Sequence, residues 1–387
     1  MDQIEELLTR GVENIIPNKE KLRALLRNGK KLNIYLGIDP TATTIHIGHA
    51  VPLRKLNAFA ALGHNVTFLI GDFTALIGDT SDKDSERPVL TSEQIKKNFE
   101  TYKKQAEKVL DFSKVNVRFN SEWLKELKFA DIIKLTYHFS AGDFFGRELI
   151  KKRLADSKKV GLHEILYPVM QGYDSYFMDT DIQLGGTDQT FNMQAGRVLQ
   201  KDLRKKESFI IANGFLEGTD GRKMSKTWNN AIWLTDSPND MFGKVMSLKD
   251  ELIVQYFTLA TNVSMDEIEK IKQRLDSENP MVLKKELAVQ LVTELHSPAE
   301  ARSAKKEFET RFQKGDLEKS TLPTIGEGVT LIETLVLSGI AESNSAARRL
   351  VDQNAVKIND TTVSLKNAPK PKTGDIIKAG KKAVKII

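Results

Sequence analysis

Three stretches of this chain hold residues whose types and spacing could do chemistry. TTIHIGHA, at 43–50, sets His46 and His49 three positions apart around Gly48, and on a helix that spacing turns both imidazoles toward one object. GRKMSKT, at 221–227, repeats the spacing with Lys223 and Lys226 on a glycine-flanked segment, which by itself is what a solvated surface also offers. In YPVMQGYDS, Tyr167, Gln171 and Asp174 fall at spacings of four and three, so a helix carries them on one face. A face turned to the core rarely offers an amide and a carboxylate together, so this one reads as a binding surface. Paired histidines at helical spacing suggest zinc. Against zinc stand a total of six histidines, no cysteine, and no glutamate between His46 and His49 to serve as a base. No metal site is expected.

The elements that must position these residues point to a nucleotide instead. KLNIYLGIDPTAT precedes the histidines, and its apolar run at 32–38 reads as a buried parallel strand. Gly37, Asp39, Pro40 and Thr41 break that run, and Thr43 and Thr44 stand where a helix cap is expected before HIGHAVPLRKLNAFAAL. Such a strand–turn–helix junction aims backbone N–H groups and the positive helix end into one crevice, which suits phosphate. Gly48 would let a flat ring or ribose approach the backbone closely.

Further strands are expected at 65–72, 115–119, 181–184 and 208–214, alternating with amphipathic segments. The fold class is therefore α/β: a doubly wound, Rossmann-like parallel sheet over residues 1–230, with a helical insertion at about 88–165. Ligands of such sheets bind beyond the carboxyl ends of the strands, where GIDPT, GDFTALIGD, GGTDQ and NGFLEGTDGRKMSK would converge. Residues 231–315 read as helices only, one of them opened by Asn279 as cap and Pro280 as first residue. The Gly-, Ser- and Thr-containing stretch 316–328 reads as a linker, and 329–387 as a small α+β domain of two short helices followed by short strands.

A length of 387 residues allows several cores, and 40% hydrophobic with 28% charged residues describes an ordinary globular chain. No apolar run is long enough to span a bilayer, and the acidic opening MDQIEELL is unlike a secretory signal. The lack of cysteine excludes disulfides and fits a reducing compartment, so a cytoplasmic protein with no membrane partner is expected. The net charge of +6 is concentrated at one end: Lys366 to Ile387 holds seven lysines and one acid, Asp375. Clustered lysines on a folded module suit a polyanion.

The pairing of His46-Ile47-Gly48-His49 with Lys223-Met224-Ser225-Lys226, about 180 residues apart in an α/β chain, resembles the class I aminoacyl-tRNA synthetases. That resemblance implies amino-acid activation by ATP. A carboxylate attacks the α-phosphorus, charge grows toward the departing pyrophosphate, and lysines and imidazoles placed there stabilise the transition state more than the ground state. YLGIDPTATTIHIGHA, ALIGDTSDKDSER, YPVMQGYDS and LGGTDQTFNMQAGR are similar, in order, to the tyrosyl-tRNA synthetases of the bacterial type, and the likeness runs through essentially the whole chain.

This resemblance implies that Tyr35 and Asp174 bind the substrate's phenolic hydroxyl, that Asp79, Tyr167 and Gln171 hold its ammonium, and that Gln189 lies by the carboxylate. Gly37, Asp39, Gly186 and Asp188 would line the ribose and adenylate path. Thr41 and His46 would meet the terminal phosphate, His49 the ribose ring, and Lys223 and Lys226 would close over the phosphates, with Lys83 and Arg87 in a similar neutralising role. Leu36 departs from the small polar residue often found in relatives, and Thr227 replaces a serine while keeping the hydroxyl. The C-terminal SGIAESNSAARRLVDQNAVKIND resembles the S4 RNA-binding domain, with Arg348 and Arg349 on a basic face for RNA. Implied partners are L-tyrosine, tRNA(Tyr), ATP used with magnesium as substrate and not as a tightly bound cofactor, and a second copy in a homodimer built on the insertion. A tryptophanyl-type synthetase would share both phosphate motifs, but a carboxylate beside Tyr35 suits a phenol better than an indole. A chain retaining the fold for RNA binding alone would not need the two motifs intact.

Overall fold

The computed structural model describes residues 2–78, 90–310, 324–326, 330–359, 361–364, 369–380 and 382–387. They belong to two compact units, Met1–Lys305 and Lys306–Ile387.

The larger unit is built on a six-stranded sheet of β1 (Val12–Ile16), β2 (Asn33–Ile38), β3 (Asn65–Ile70), β4 (Asn116–Phe119), β5 (Ile182–Gly186) and β6 (Phe209–Asn213), in the order β1-β6-β5-β2-β3-β4. Strands β2 to β6 run parallel, as the doubly wound α/β reading expects. β1 is an addition: VENII pairs antiparallel with β6 at the sheet's edge, and so short a half-exposed run has no pattern that announces a strand. From β2 the chain winds outward through β3 and β4, then returns to β5 on the other side of β2. A crevice opens at such a reversal, beyond the carboxyl ends of the two central strands. Ile34, Tyr35 and Leu36 are buried because β2 has a strand on either side and the Ile47–Ala61 helix across it.

Two helices fix one wall of that crevice. Leu162–Phe177, which carries Tyr167, Gln171 and Asp174 as their spacing expects, packs lengthwise on Thr190–Arg204. Gly172 sets their closeness, since a Cβ there would stand 3.0 Å from the Ala195 carbonyl carbon. The N-terminal end of the first helix is tied down by a buried ion pair in which Arg153 donates to both Glu164 oxygens at 2.6 and 3.1 Å. Within the stretch read as an insertion, the described residues form the Ser92–Ala106 helix, the edge strand β4 and four short helices between Ser121 and Ala155.

The start of the Ile47–Ala61 helix differs from expectation. His46, and neither Thr43 nor Thr44, occupies the capping position. His46 is held extended between bonds to a distant segment: the Ile47 N–H donates to the Ile232 carbonyl at 2.9 Å and the Leu234 N–H to the Ile45 carbonyl at 3.1 Å. That pairing consumes the first possible helical turn.

Beyond residue 231 the larger unit continues with helices such as Pro238–Met246, Ile253–Ala260 and Pro280–Leu295. The last opens as expected, with the Met281 N–H donating to the Asn279 side chain at 2.9 Å. These helices pack into the same unit as the sheet. Arg54, on the helix after β2, reaches Glu294 at 2.7 Å.

In the smaller unit the helices Leu331–Leu337 and Asn344–Asp352 pack against strands β7 (Thr324–Ile325), β8 (Val356–Ile358), β9 (Thr361–Thr362), β10 (Ile376–Ala379) and β11 (Lys382–Ile386). The strand order is β7-β11-β10-β8-β9. β7 lies inside the stretch read as linker, and its parallel pairing with β11 makes it part of the sheet. No helix among the described residues is long and apolar enough to cross a membrane.

Candidate active site

A cleft of about 290 Å³ opens where β2 and β5 end. It gathers ten residues singled out in the sequence. Tyr35, Gly37, Asp39 and Thr41 come from β2 and its following turn, and His49 from the helix beyond. Tyr167, Gln171 and Asp174 come from one helix face, and Asp188 and Gln189 from the turn after β5. Gly186 immediately precedes that turn, and a Cβ there would stand 2.5 Å from Asp188 Oδ1, so any other residue would make the Asp188 side chain shift. Asp79, Lys83 and Arg87 lie outside the described residues.

At the floor, Asp174 and Tyr35 are both buried and make no direct bond to each other in the structure. Asp174 instead accepts from Trp123 Nε1 at 2.7 Å and from Asn120 Nδ2 at 3.2 Å. The Tyr35 hydroxyl donates to Gln183 Oε1 at 3.1 Å, and Gln183 Nε2 donates to the Met193 carbonyl at 2.9 Å. Burial pushes the Asp174 carboxyl up to about 8; the Trp123 and Asn120 bonds oppose this, and the charges of Asp39 and Asp72 add to it. Burial, then the charge of Asp174, holds the Tyr35 hydroxyl well above its ordinary value, so it remains a neutral phenol.

A chain of hydrogen bonds leads from the floor toward the mouth. Asn120 Nδ2 also donates to Thr74 Oγ1 at 3.0 Å, Thr74 Oγ1 donates to Asp39 Oδ1 at 2.7 Å, and the Tyr167 hydroxyl donates to Asp39 Oδ2 at 2.8 Å. Gly71 makes room for it, since a Cβ there would fall 2.0 Å from Asp39 Oδ1. Asn120, Trp123, Gln183, Thr74 and Gly71 are site residues that motif reading did not select. Gln183 left a trace, as a polar residue inside the apolar strand DIQL. Asn120 left a fainter one, as the first polar residue after a strand.

The mouth carries the paired histidines. The His46 N–H donates to His49 Nδ1 at 3.3 Å, and the two rings lie 3.8 Å apart. Accepting at Nδ1 leaves the proton of a neutral His49 on Nε2. Burial lowers the His46 pKa to about 3, with His49 and Lys223 contributing, so its imidazole is neutral at physiological pH. Its Nδ1 is buried and has no hydrogen-bond partner among the described residues. Gly48 serves these neighbours: a Cβ there would stand 2.9 Å from His46 Nδ1 and 3.5 Å from Met224 Sδ. The glycine thus lets the ring of His46 fold back and lets the lysine segment sit against the helix start. Met224 is buried, while Lys223 and Lys226 on either side are more accessible. His46, Gly48 and both lysines stand outside the cleft lining, grouped at the start of the helix that carries His49.

Arg348 and Arg349 are exposed on the Asn344–Asp352 helix of the smaller unit, whose Ala347 and Val351 face that unit's core.

The cleft therefore has a deep, neutralised polar floor suited to a hydroxyl-bearing ring, and next to it, at the start of the helix that carries His49, a group of imidazole and ammonium side chains suited to phosphates. Comparison with known proteins identifies relatives of the chain. A family model described as class I tRNA synthetases (W and Y) matches residues 27–313. The tyrosine–tRNA ligase of Dehalococcoides mccartyi strain CBDB1 is 41% identical, over 98% of this chain and 97% of its own. That of Idiomarina loihiensis is 42% identical, over 91% of this chain and 89% of its own. Among solved structures, a C-terminally truncated mitochondrial tyrosyl-tRNA synthetase of Coccidioides posadasii has a TM-score of 0.66 at 22% identity, covering 79% of this chain and 92% of that one. The tyrosyl-tRNA synthetase of Archaeoglobus fulgidus, solved with L-tyrosine, has a TM-score of 0.61 at 22% identity, covering 79% of this chain and all of that one.

Proposed function

The chain belongs to the class I tRNA synthetases of the tryptophan and tyrosine group, and from that membership we propose the reaction its cleft performs. It is a tyrosine–tRNA ligase. It activates L-tyrosine with ATP to tyrosyl-adenylate and pyrophosphate, then transfers tyrosyl to the 3′ end of tRNA(Tyr). ATP enters as its magnesium complex, a substrate and not a resident group.

The observation that carries the choice of tyrosine is the floor of the cleft, where a buried carboxyl and a buried phenol converge on one end of an aromatic-sized space. A substrate hydroxyl completes the hydrogen bonds of Tyr35 and Asp174. A phenyl ring would displace water from Tyr35 and Asp174 and offer no hydrogen bond beyond those they already make to Gln183, Trp123 and Asn120. Tyr167 and Gln171 face the position of the ammonium, with Asp79 in the same role, and Gln189 faces that of the carboxylate. Gly37, Asp39, Gly186 and Asp188 line the adenylate path. As the carboxylate attacks the α-phosphorus, charge moves to the departing pyrophosphate. Thr41, neutral His46, Lys223 and Lys226, with Lys83 and Arg87, meet it there, and His49 Nε2–H faces the ribose.

A homodimer is supported by apolar side chains exposed between residues 129 and 162, where Phe129, Tyr137 and Leu162 are 79%, 80% and 70% exposed. Large apolar side chains this exposed suit burial against a second copy. The smaller unit acts as an S4-type RNA-binding domain through Arg348, Arg349 and its lysines, after a catalytic domain (1–230) and a helical domain (231–315), with the connecting stretch from 316 running up to β7. The cytoplasm, where tRNA, tyrosine and ATP meet, is its compartment.

ATP–pyrophosphate exchange across the twenty amino acids tests the reading. Tyrosine alone should support fast exchange, since a site built to bind a hydroxyl rejects the analogue lacking it by orders of magnitude, as tyrosyl-tRNA synthetases do against phenylalanine. Comparable exchange with phenylalanine or tryptophan would overturn it.

A further inference from the structure

Asn230 lies outside the cleft, follows the lysine segment, and is only 2% exposed. Its Nδ2 donates to Asp220 Oδ1 at 2.7 Å and to the Lys223 carbonyl at 3.2 Å, while its Oδ1 accepts from the Ser225 N–H at 2.8 Å. A primary amide donates twice and accepts in one plane, which neither a carboxylate nor a hydroxyl can match. The backbone on the loop's other arm closes on the same residue, with the Thr219 N–H donating to the Asn230 carbonyl at 2.9 Å. Gly218 leaves the space for this, because a Cβ there would stand 2.3 Å from Asn230 Nδ2.

The residues immediately following are those that hold the first histidine. Ile232 and Leu234 are bonded to Ile47 and Ile45, and the ring of Trp233 lies edge-on to that of His46 at 5.7 Å. Asn230 thus joins the loop of the two motif lysines to a backbone segment locked to His46. Lysine side chains are long and lose much rotamer freedom when they bind, so their effectiveness depends on where the backbone starts them. We infer that Asn230 is a positioning residue for adenylate formation, holding the Lys223–Lys226 backbone in register with His46 so that both reach the same departing phosphates. This rests on the tyrosine-activation reading above.

The test uses the full chain with Asn230→Ala, Asn230→Asp, and the double variant Asp220→Asn with Asn230→Asp. Tyrosine affinity, melting temperature and the single-turnover rate of tyrosyl-adenylate formation at saturating tyrosine and ATP are measured together. Asn230→Ala should slow activation on the order of tenfold to a hundredfold, the scale of a misplaced group, with tyrosine affinity changed by less than about twofold. Asn230→Asp should slow it at least as much, since it sets two carboxylates against each other. The double variant should recover part of that loss, because an asparagine at 220 can donate to a carboxylate at 230. A normal rate in Asn230→Ala, equal losses of rate and tyrosine affinity, or no recovery in the double variant would each overturn the role. Wild-type chain that failed to activate tyrosine would instead overturn the functional reading, which separates the two.

Discussion

Asp174 shows how surroundings assign a role to an ordinary side chain. With a folded pKa of about 8 against 3.8 ordinarily, it keeps a proton in the folded chain that the unfolded chain has already lost. The stability it contributes is therefore fully present below about pH 4 and declines as pH rises, until about pH 8. Asp174→Asn abolishes that titration. The melting temperature of wild type relative to Asp174→Asn should fall as pH rises from about 5 and level off above about 8; a difference independent of pH would show an ordinary carboxylate. His46 is shifted the opposite way and stays neutral. His46→Ala and Lys226→Ala should each raise the activation barrier by about 3 kcal/mol, the scale for losing one preorganised donor to a developing charge, with tyrosine affinity nearly unchanged. For His46→Ala the loss should be equal at about pH 6 and about pH 8, because the His46 imidazole does not titrate between them. Tyrosine binding that weakens in step with the rate would show that these residues hold the amino acid.

Helices and strands here do more than display residues. Leu162–Phe177 can present Tyr167, Gln171 and Asp174 at a set depth only because Gly172 lets it lie close to its neighbour and Arg153 anchors its first turn. The Arg153–Glu164 pair is almost fully buried, at 1% and 2% exposure. Removing one partner strands the other's charge away from water. Arg153→Leu should cost about 3–5 kcal/mol in denaturant unfolding, and Arg153→Leu with Glu164→Leu should recover most of it. If the double variant is as unstable as the single, the loss comes from packing and not from an uncompensated charge.

The division into two compact units has a functional consequence. Every described residue of the cleft, and both motif lysines, belong to Met1–Lys305, whereas Arg348, Arg349 and the terminal lysines belong to Lys306–Ile387. A chain ending at Leu317 should fold and form tyrosyl-adenylate at the full-length rate. It should charge tRNA with a weaker apparent affinity and a shallower dependence on salt, since fewer phosphate contacts release fewer counterions. Normal tRNA charging by the shortened chain would make the basic unit incidental, and loss of adenylate formation would make it part of the catalytic fold.

Local sequence determines a good part of this protein. Spacing along a helix is a property of consecutive residues, so the face of YPVMQGYDS can be read directly, as can five parallel strands with turn residues at their carboxyl ends; in TTIHIGHA only His49 lies on the helix, with His46 at its cap. Family likeness then carries roles onto those positions. Nothing local reveals Gln183 beneath Tyr35, Asn120 and Trp123 on Asp174, or the pairing of residues 45–47 with 232–234 that moves the helix start to Ile47. Tyr35 and Gln183 are 148 positions apart and meet because β2 and β5 are neighbours in register. Sheet order and register are set by how the whole core closes, and no local pattern encodes them. Burial likewise depends on every element packed above a group, so the neutrality of Asp174 at physiological pH arises only when the chain is folded, and that of His46 is extended by folding to acidic pH.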